Sequence, residues 1–122
     1  MNRKKYKIAA LTLTLILLCS TAVYAWNMSA VSYLGNGVIN IGAYSYSATD
    51  TVCDSVRAVS WLYKDNVVVD TDSESTTNAT WAQADVSASN PIGIQNWRVE
   101  GYHRSQLGNY ATEEESYDSG QR

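Results

Sequence analysis

The chain has 122 residues, nine Lys+Arg against twelve Asp+Glu, a formal net charge of -3, four Trp, nine Tyr and no Phe. Arg3, Lys4, Lys5 and Lys7 precede every acidic residue, and residues 26–122 carry five basic against twelve acidic side chains. A segment so acidic lacks the positive footprint that phosphates require, which argues against nucleic acid and against attraction to anionic lipid.

In chain order, residues 2–7 form a basic head and residues 8–18 (IAALTLTLILL) an uncharged, mostly apolar run. Val23 and Ala25 stand at the -3 and -1 positions of a cleavage site before Trp26. This three-part layout predicts a secretory signal peptide over residues 1–25, cut after Ala25. The run is shorter than the about 20 residues that span a bilayer, and extending it meets Cys19, Ser20 and Thr21. Membrane contact is therefore expected only through the signal before cleavage. Ser20-Thr21-Ala22 offers a second, nearby cut. The lysine-rich start and the Phe-free remainder have a bacterial character, and the mature chain is expected to be secreted.

Residues 26–122 suffice for a single domain. With Cys19 removed, Cys53 stands alone, so packing rather than an internal disulfide must hold the fold. Cys53 itself is expected to be buried as a small apolar residue.

Period-2 patterns recur along this segment. Residues 27–34 and 38–48 flank Gly35-Asn36-Gly37, a hairpin turn in which Gly and Asn tolerate positive φ. Residues 55–64 alternate Val56, Ala58, Ser60 and Leu62 with Arg57, Val59, Trp61 and Tyr63. Asp65-Asn66 then turns the chain into Val67-Val68-Val69, which predicts a hairpin over residues 56–70. Residues 71–78 (TDSESTTN) read as a polar loop. Residues 79–89 set Thr80, Ala82, Ala84, Val86 and Ala88 against Trp81, Gln83, Asp85 and Ser87. A helix capped by Asn78 and followed by Pro91 is the competing reading there, and the alternation favours a strand.

Residues 97–103 put Trp97, Val99, Gly101 and His103 on one face. The acidic segment near residues 111–122 is expected to add an edge strand before becoming a solvated tail. The sum is all-β: a single small β-sandwich, immunoglobulin-like or jelly-roll-like, of about seven strands.

Catalytic chemistry finds little material. His103 is the only His, no Gly-x-Ser-x-Gly elbow occurs, and one His with one Cys cannot build a zinc site. A Cys53–His103 dyad would need adjoining strands; the plainer expectation is a His103 at a strand end, hydrogen-bonded to a loop. No catalytic residue is assigned, and no cofactor is expected. Asp70, Asp72 and Glu74 share one side of their segment, as oxygen ligands for calcium would, although short acidic clusters are ordinarily just solvated.

Aromatics are the stronger feature. Tyr44 and Tyr46 lie opposite Ile39, Ile41 and Ala43, and Trp81 lies opposite the Ala/Val stripe. If the small-residue faces pack inward, Tyr44, Tyr46 and Trp81 are left as a contact surface for sugars or protein partners. Trp61 and Trp97 are expected in the core. The leading functional reading is a secreted, non-enzymatic binder of an extracellular polysaccharide, cell wall or protein. The alternative is a secreted bacteriocin-like or toxin-like factor acting on other cells, against which the acidic charge counts.

Overall fold

The computed structural model describes residues 26–122; the expected signal peptide and its cut after Ala25 fall outside the described residues. Alternation becomes five long strands, β1 (Met28–Leu34), β2 (Asn40–Lys64), β3 (Val67–Ser89), β4 (Asn96–Leu107) and β5 (Tyr110–Gln121). All are antiparallel, in one sheet of order β1-β2-β4-β5 with β3 also on β2. The first half of β2 pairs with β1 (Leu34↔Ala43) and its second half with β4 (Lys64↔Trp97). β3 runs beside both halves, from Lys64↔Val67 to Asn40↔Ser89.

The all-β expectation holds, but seven separate strands become five in a curled, open sheet. Residues 49–52 contain Thr49, Asp50, Thr51 and Val52, none of them a turn-former of the Gly or Pro kind, so the chain bends there without breaking. The β2–β3 register slips between Ala48 and Cys53, an irregularity that sharpens local twist and bends a strand. β3 bends alongside at Asn78, whose φ is 49°, a left-handed value that Asn tolerates. Residues 71–78 are accordingly strand rather than loop. Their Ser and Thr residues pair along β2 from Trp61↔Thr71 to Ser55↔Thr77. The Asp65-Asn66 turn is as expected, with φ of 48° and 67°, the double-positive geometry that matches strand twist. The acidic C-terminal segment is ladder-paired to β4 as far as Gln121 rather than trailing as a solvated tail.

The bend folds the sheet over itself and brings β1 against β4 and β5. Two seams remain where no main-chain ladder forms, and unpaired strand edges expose backbone donors and acceptors. Side chains close both. Between β1 and β5, Asp118 Oδ2 accepts from Leu34 N (2.9 Å), Ser32 and Ser116 hydroxyls meet at 2.6 Å, and Arg122 Nε donates to Gly35 O (3.1 Å). Across the bent β3, Asp70 Oδ2 accepts from Ser87 N (2.9 Å) and Asp72 Oδ2 from Asp85 N (3.1 Å), while Thr76 Oγ1 donates to Trp81 O (2.6 Å).

The concave side of a tight curl has little room, which decides what packs there. One core cluster joins Leu34, Ile41, Ala43, Leu62, Val86, Trp97 and Val99. The other is built from Cys53, Val56, Ala58, Ala82 and Ala84, with Trp26 and Leu107 against it. Each fully buried Leu or Val removes enough apolar surface from water to contribute about 1.5–3 kcal/mol. Cys53 is buried and free, as expected. Trp97 is core, at 2 % exposure. Trp61 is not: it belongs to the outward parity of β2 and lies half-buried on the convex face, because the inward positions around it, Ala58, Ser60 and Leu62, fill the available depth.

Candidate functional site

The small inward faces leave large rings outside, in two groups. On the half formed by β1, the start of β2 and the end of β3, Tyr33, Tyr44, Tyr46 and Trp81 make one row. Ring centroids are 5.3 Å apart for Tyr33–Tyr44, 6.1 Å for Tyr44–Tyr46 and 4.5 Å for Tyr46–Trp81, all stacked. The three residues expected as a contact surface are thus brought together, and Tyr33 joins them through its register with Tyr44. Trp81 is 45 % exposed and Tyr33 47 %. Stacking has a consequence for binding, however. The inner rings turn their faces to one another, leaving mainly edges and hydroxyls to solvent. Such pairs stabilise by about 0.5–1.5 kcal/mol each, so this ladder clamps three strands together.

The second group lies on the outer face of β2, β4 and β5, in cross-strand rows. Tyr63 pairs with Arg98, Trp61 with Glu100 and then Tyr117, Val59 with Tyr102 and then Glu115, and Arg57 with Arg104 and then Glu113. A groove of about 620 Å³ runs over the middle rows, walled by Trp61, Tyr63, Tyr102 and Tyr117 with Glu100 and Glu115 beside them. Val59 points outward yet is only 6 % exposed, so the aromatic layer covers the strand beneath it. Burial pushes the Tyr102 phenol above its usual value, helped by its hydrogen bond to Glu113. Tyr117, by contrast, is 75 % exposed. A recess of this size, mostly aromatic with a few fixed polar groups, has the make-up of a ligand site. Parity puts Trp61 and Tyr63 on one face of β2 and Tyr102 opposite the Trp97 face of β4, but the size of Trp61 favours the core for it; what the sequence also withheld was that β2, β4 and β5 adjoin.

The other expected residues separate into structural roles. Asp70 and Asp72 hold the β3 seam through main-chain N–H groups, and Glu74 lies two residues further along the same strand, opposite Ala58. Among the described residues no group of three His, Cys, Asp or Glu is arranged to hold a metal. Cys53 Sγ faces the Thr51 carbonyl at 3.4 Å, and both ring nitrogens of His103 are taken by serines, so the Cys–His dyad does not form.

His103 sits in mid-strand facing the core, not at a strand end, and is fully buried. Its Nδ1 lies 2.9 Å from Ser47 Oγ and its Nε2 2.6 Å from Ser116 Oγ. Ser47 has one proton and donates it to Arg57 O at 2.7 Å. Nδ1–H must therefore be the donor to Ser47, and Nε2 must accept from Ser116. Ser116 in turn accepts from Ser32, and Ser32 from Ser45 at 2.7 Å. The chain of donors runs one way and requires a neutral ring. Burial lowers the His103 pKa from its ordinary value, opposed in part by a hydrogen bond with the Tyr46 backbone. Gly101 leaves the space for this network: a Cβ there would stand 2.5 Å from Ser32 Oγ, 2.6 Å from Ser45 Oγ and 2.8 Å from His103 Nε2.

No family model matches the chain. No curated protein matches it either. Among solved structures it is similar to one described as the crystal structure of a protein from Archaeoglobus fulgidus. The two are 8 % identical, with a TM-score of 0.41 over 80 % of this chain and 96 % of that one.

Proposed function

We propose that this chain is an exported, non-enzymatic all-β module that binds an extracellular polysaccharide of the cell wall type. The observation that carries the reading is the aromatic groove of about 620 Å³ on the outer face of β2, β4 and β5. Pyranose rings pack their C–H faces on open aromatic faces, and carboxylates accept from sugar hydroxyls. Trp61, Tyr102 and Tyr117 supply the first and Glu115 the second. The rigid base is what makes the groove usable, since a site on paired strands holds its side chains with little ordering cost. The basic head, apolar run and cleavage motif before Trp26 support delivery outside the cell.

The ladder of Tyr33, Tyr44, Tyr46 and Trp81 serves as the brace of the opposite half, because its ring faces are engaged with one another. The test is retention of the purified protein on cell walls and insoluble polysaccharides, beside Trp61→Ala and Tyr117→Ala. Retention lost in both variants, with their thermal unfolding little changed, is the expected result. Flow-through of the unaltered protein on every matrix would overturn the reading.

A further inference from the structure

The groove also specifies the charge of what it takes, an inference that rests on the polysaccharide reading and sharpens it. On the outer face, one cation is already captured by the protein itself. The Arg98 guanidinium carbon lies 4.2 Å from the centroid of the Tyr63 ring, and its Nε donates to Glu100 Oε1 at 2.9 Å. An aromatic face draws a cation through its quadrupole, and the carboxylate neutralises it. At the other end of the same face Arg104 Nε stands 3.6 Å from Glu113.

Between these two pairs the pattern repeats without a cation. Trp61, Tyr102 and Tyr117 surround the middle of the groove. Glu115 sits beside Tyr102 in its row and next to Tyr117 along β5. Glu100 is committed to Arg98 and Glu113 to Arg104, whereas Glu115 has no salt bridge among the described residues. The recess lining therefore holds both recognition elements that capture Arg98, rings and a carboxylate free of any salt bridge, with Arg57 and Arg104 in the neighbouring row beyond Tyr102. Residues 26–122 add a background of twelve acidic against five basic side chains, which draws cations in and turns anions away.

We propose that the groove binds a protonated amine carried on a sugar: a glycan with free amino groups rather than a neutral or N-acetylated one. The ammonium lies against the rings of Tyr117 and Trp61 and pairs with Glu115, while the sugar face packs on Tyr102. Acetylation removes the charge and leaves the stacking. The groove thus discriminates between two polymers of nearly the same shape.

The experiment is calorimetric titration of the purified protein with glucosamine hexamer and with N-acetylglucosamine hexamer, at a pH where the amine is charged. The unaltered protein is expected to bind the free-amine oligomer roughly tenfold more tightly, a difference of about 1.4 kcal/mol, with the advantage shrinking as salt rises. Glu115→Gln should weaken the free-amine oligomer far more than the acetylated one and so erase the preference between them. Tyr117→Ala should weaken both. Equal affinity for the two oligomers would overturn the charge assignment and leave the polysaccharide reading standing. Binding of neither would remove both. Tighter binding of a lysine oligopeptide than of the amino sugar would show that the ammonium comes from a protein, and would overturn the sugar assignment.

Discussion

Two outward faces of one small sheet carry the same kinds of side chain and are organised in opposite ways. On the β1 half, Tyr33, Tyr44, Tyr46 and Trp81 stack in an unbroken row. On the β4–β5 half, Trp61, Tyr102 and Tyr117 are interleaved with Glu100 and Glu115 by the strand register, and a recess opens between them. Rings that touch each other stabilise the sheet; rings separated by carboxylates keep their faces for something else. Exposure and composition alone do not tell the two apart. Neighbour identity does.

The sharpest way to break that comparison is to remove one ring from each side. Trp61→Ala is expected to weaken polysaccharide binding by roughly ten- to a hundredfold, the loss of an aromatic anchor worth about 1.4–3 kcal/mol, with unfolding only mildly affected. Trp81→Ala should do the reverse, leaving binding within about twofold. Binding isotherms and thermal melts on both variants check this, and a Trp81 variant that loses binding while staying folded would put the site on the ladder.

Next in size is Gly101→Ala. The added Cβ meets two serine hydroxyls and the His103 ring that the layers cannot easily part with. Overpacking of this kind costs about 1–3 kcal/mol, which chemical denaturation would register. Loss of the Asp70 and Asp72 carboxylates, by paired change to Ala, should cost about 1–2 kcal/mol by freeing main-chain N–H groups of β3. Measured in calcium-free buffer, that loss isolates the seam role of these residues; no loss there would restore a purely ligand-binding role for them. Trp81→Ala, with its stacked partner Tyr46 left behind, should cost about 0.5–1.5 kcal/mol in stability.

The smallest effect is one of pH, and its sign follows from the neutral ring. His103 has its pKa lowered in the folded chain, so unfolding takes up a proton near the ordinary value of about 6.5. Stability from this source is complete above that pH and declines as pH falls toward the folded pKa. Melting temperatures from about pH 7.5 to about pH 5 should drop more steeply for the unaltered protein than for His103→Gln. Parallel curves would mean that the ring carries no such linkage.

Much of this was legible in the residues. Period-2 alternation marked the strands and their inward faces. Asp65-Asn66 and Gly35-Asn36-Gly37 marked two hairpins, although the second connection is a five-residue loop over residues 35–39 with none of those three residues at positive φ, and the parity of Tyr44, Tyr46 and Trp81 put them outside. The bend at residues 49–52 was not legible, because a strand that curls keeps the same alternation as one that stops and restarts. Residues 71–78 looked like a loop because both their faces are polar. They are strand because β2 offers a ladder and because Asp70 and Asp72 are used to cap a neighbouring edge.

Local pattern, then, determined that this chain builds sheet and which side of each strand is small. Side-chain period is a property of the backbone and needs no partner. Tertiary structure decided the rest: that small sides face a tight concave interior, that Trp61 is pushed to the outside while Trp97 stays within, and that one aromatic row closes on itself while the other remains open. Those outcomes depend on which strands adjoin and in what register, and long-range pairing is set by the energy of the whole sheet rather than by any one segment.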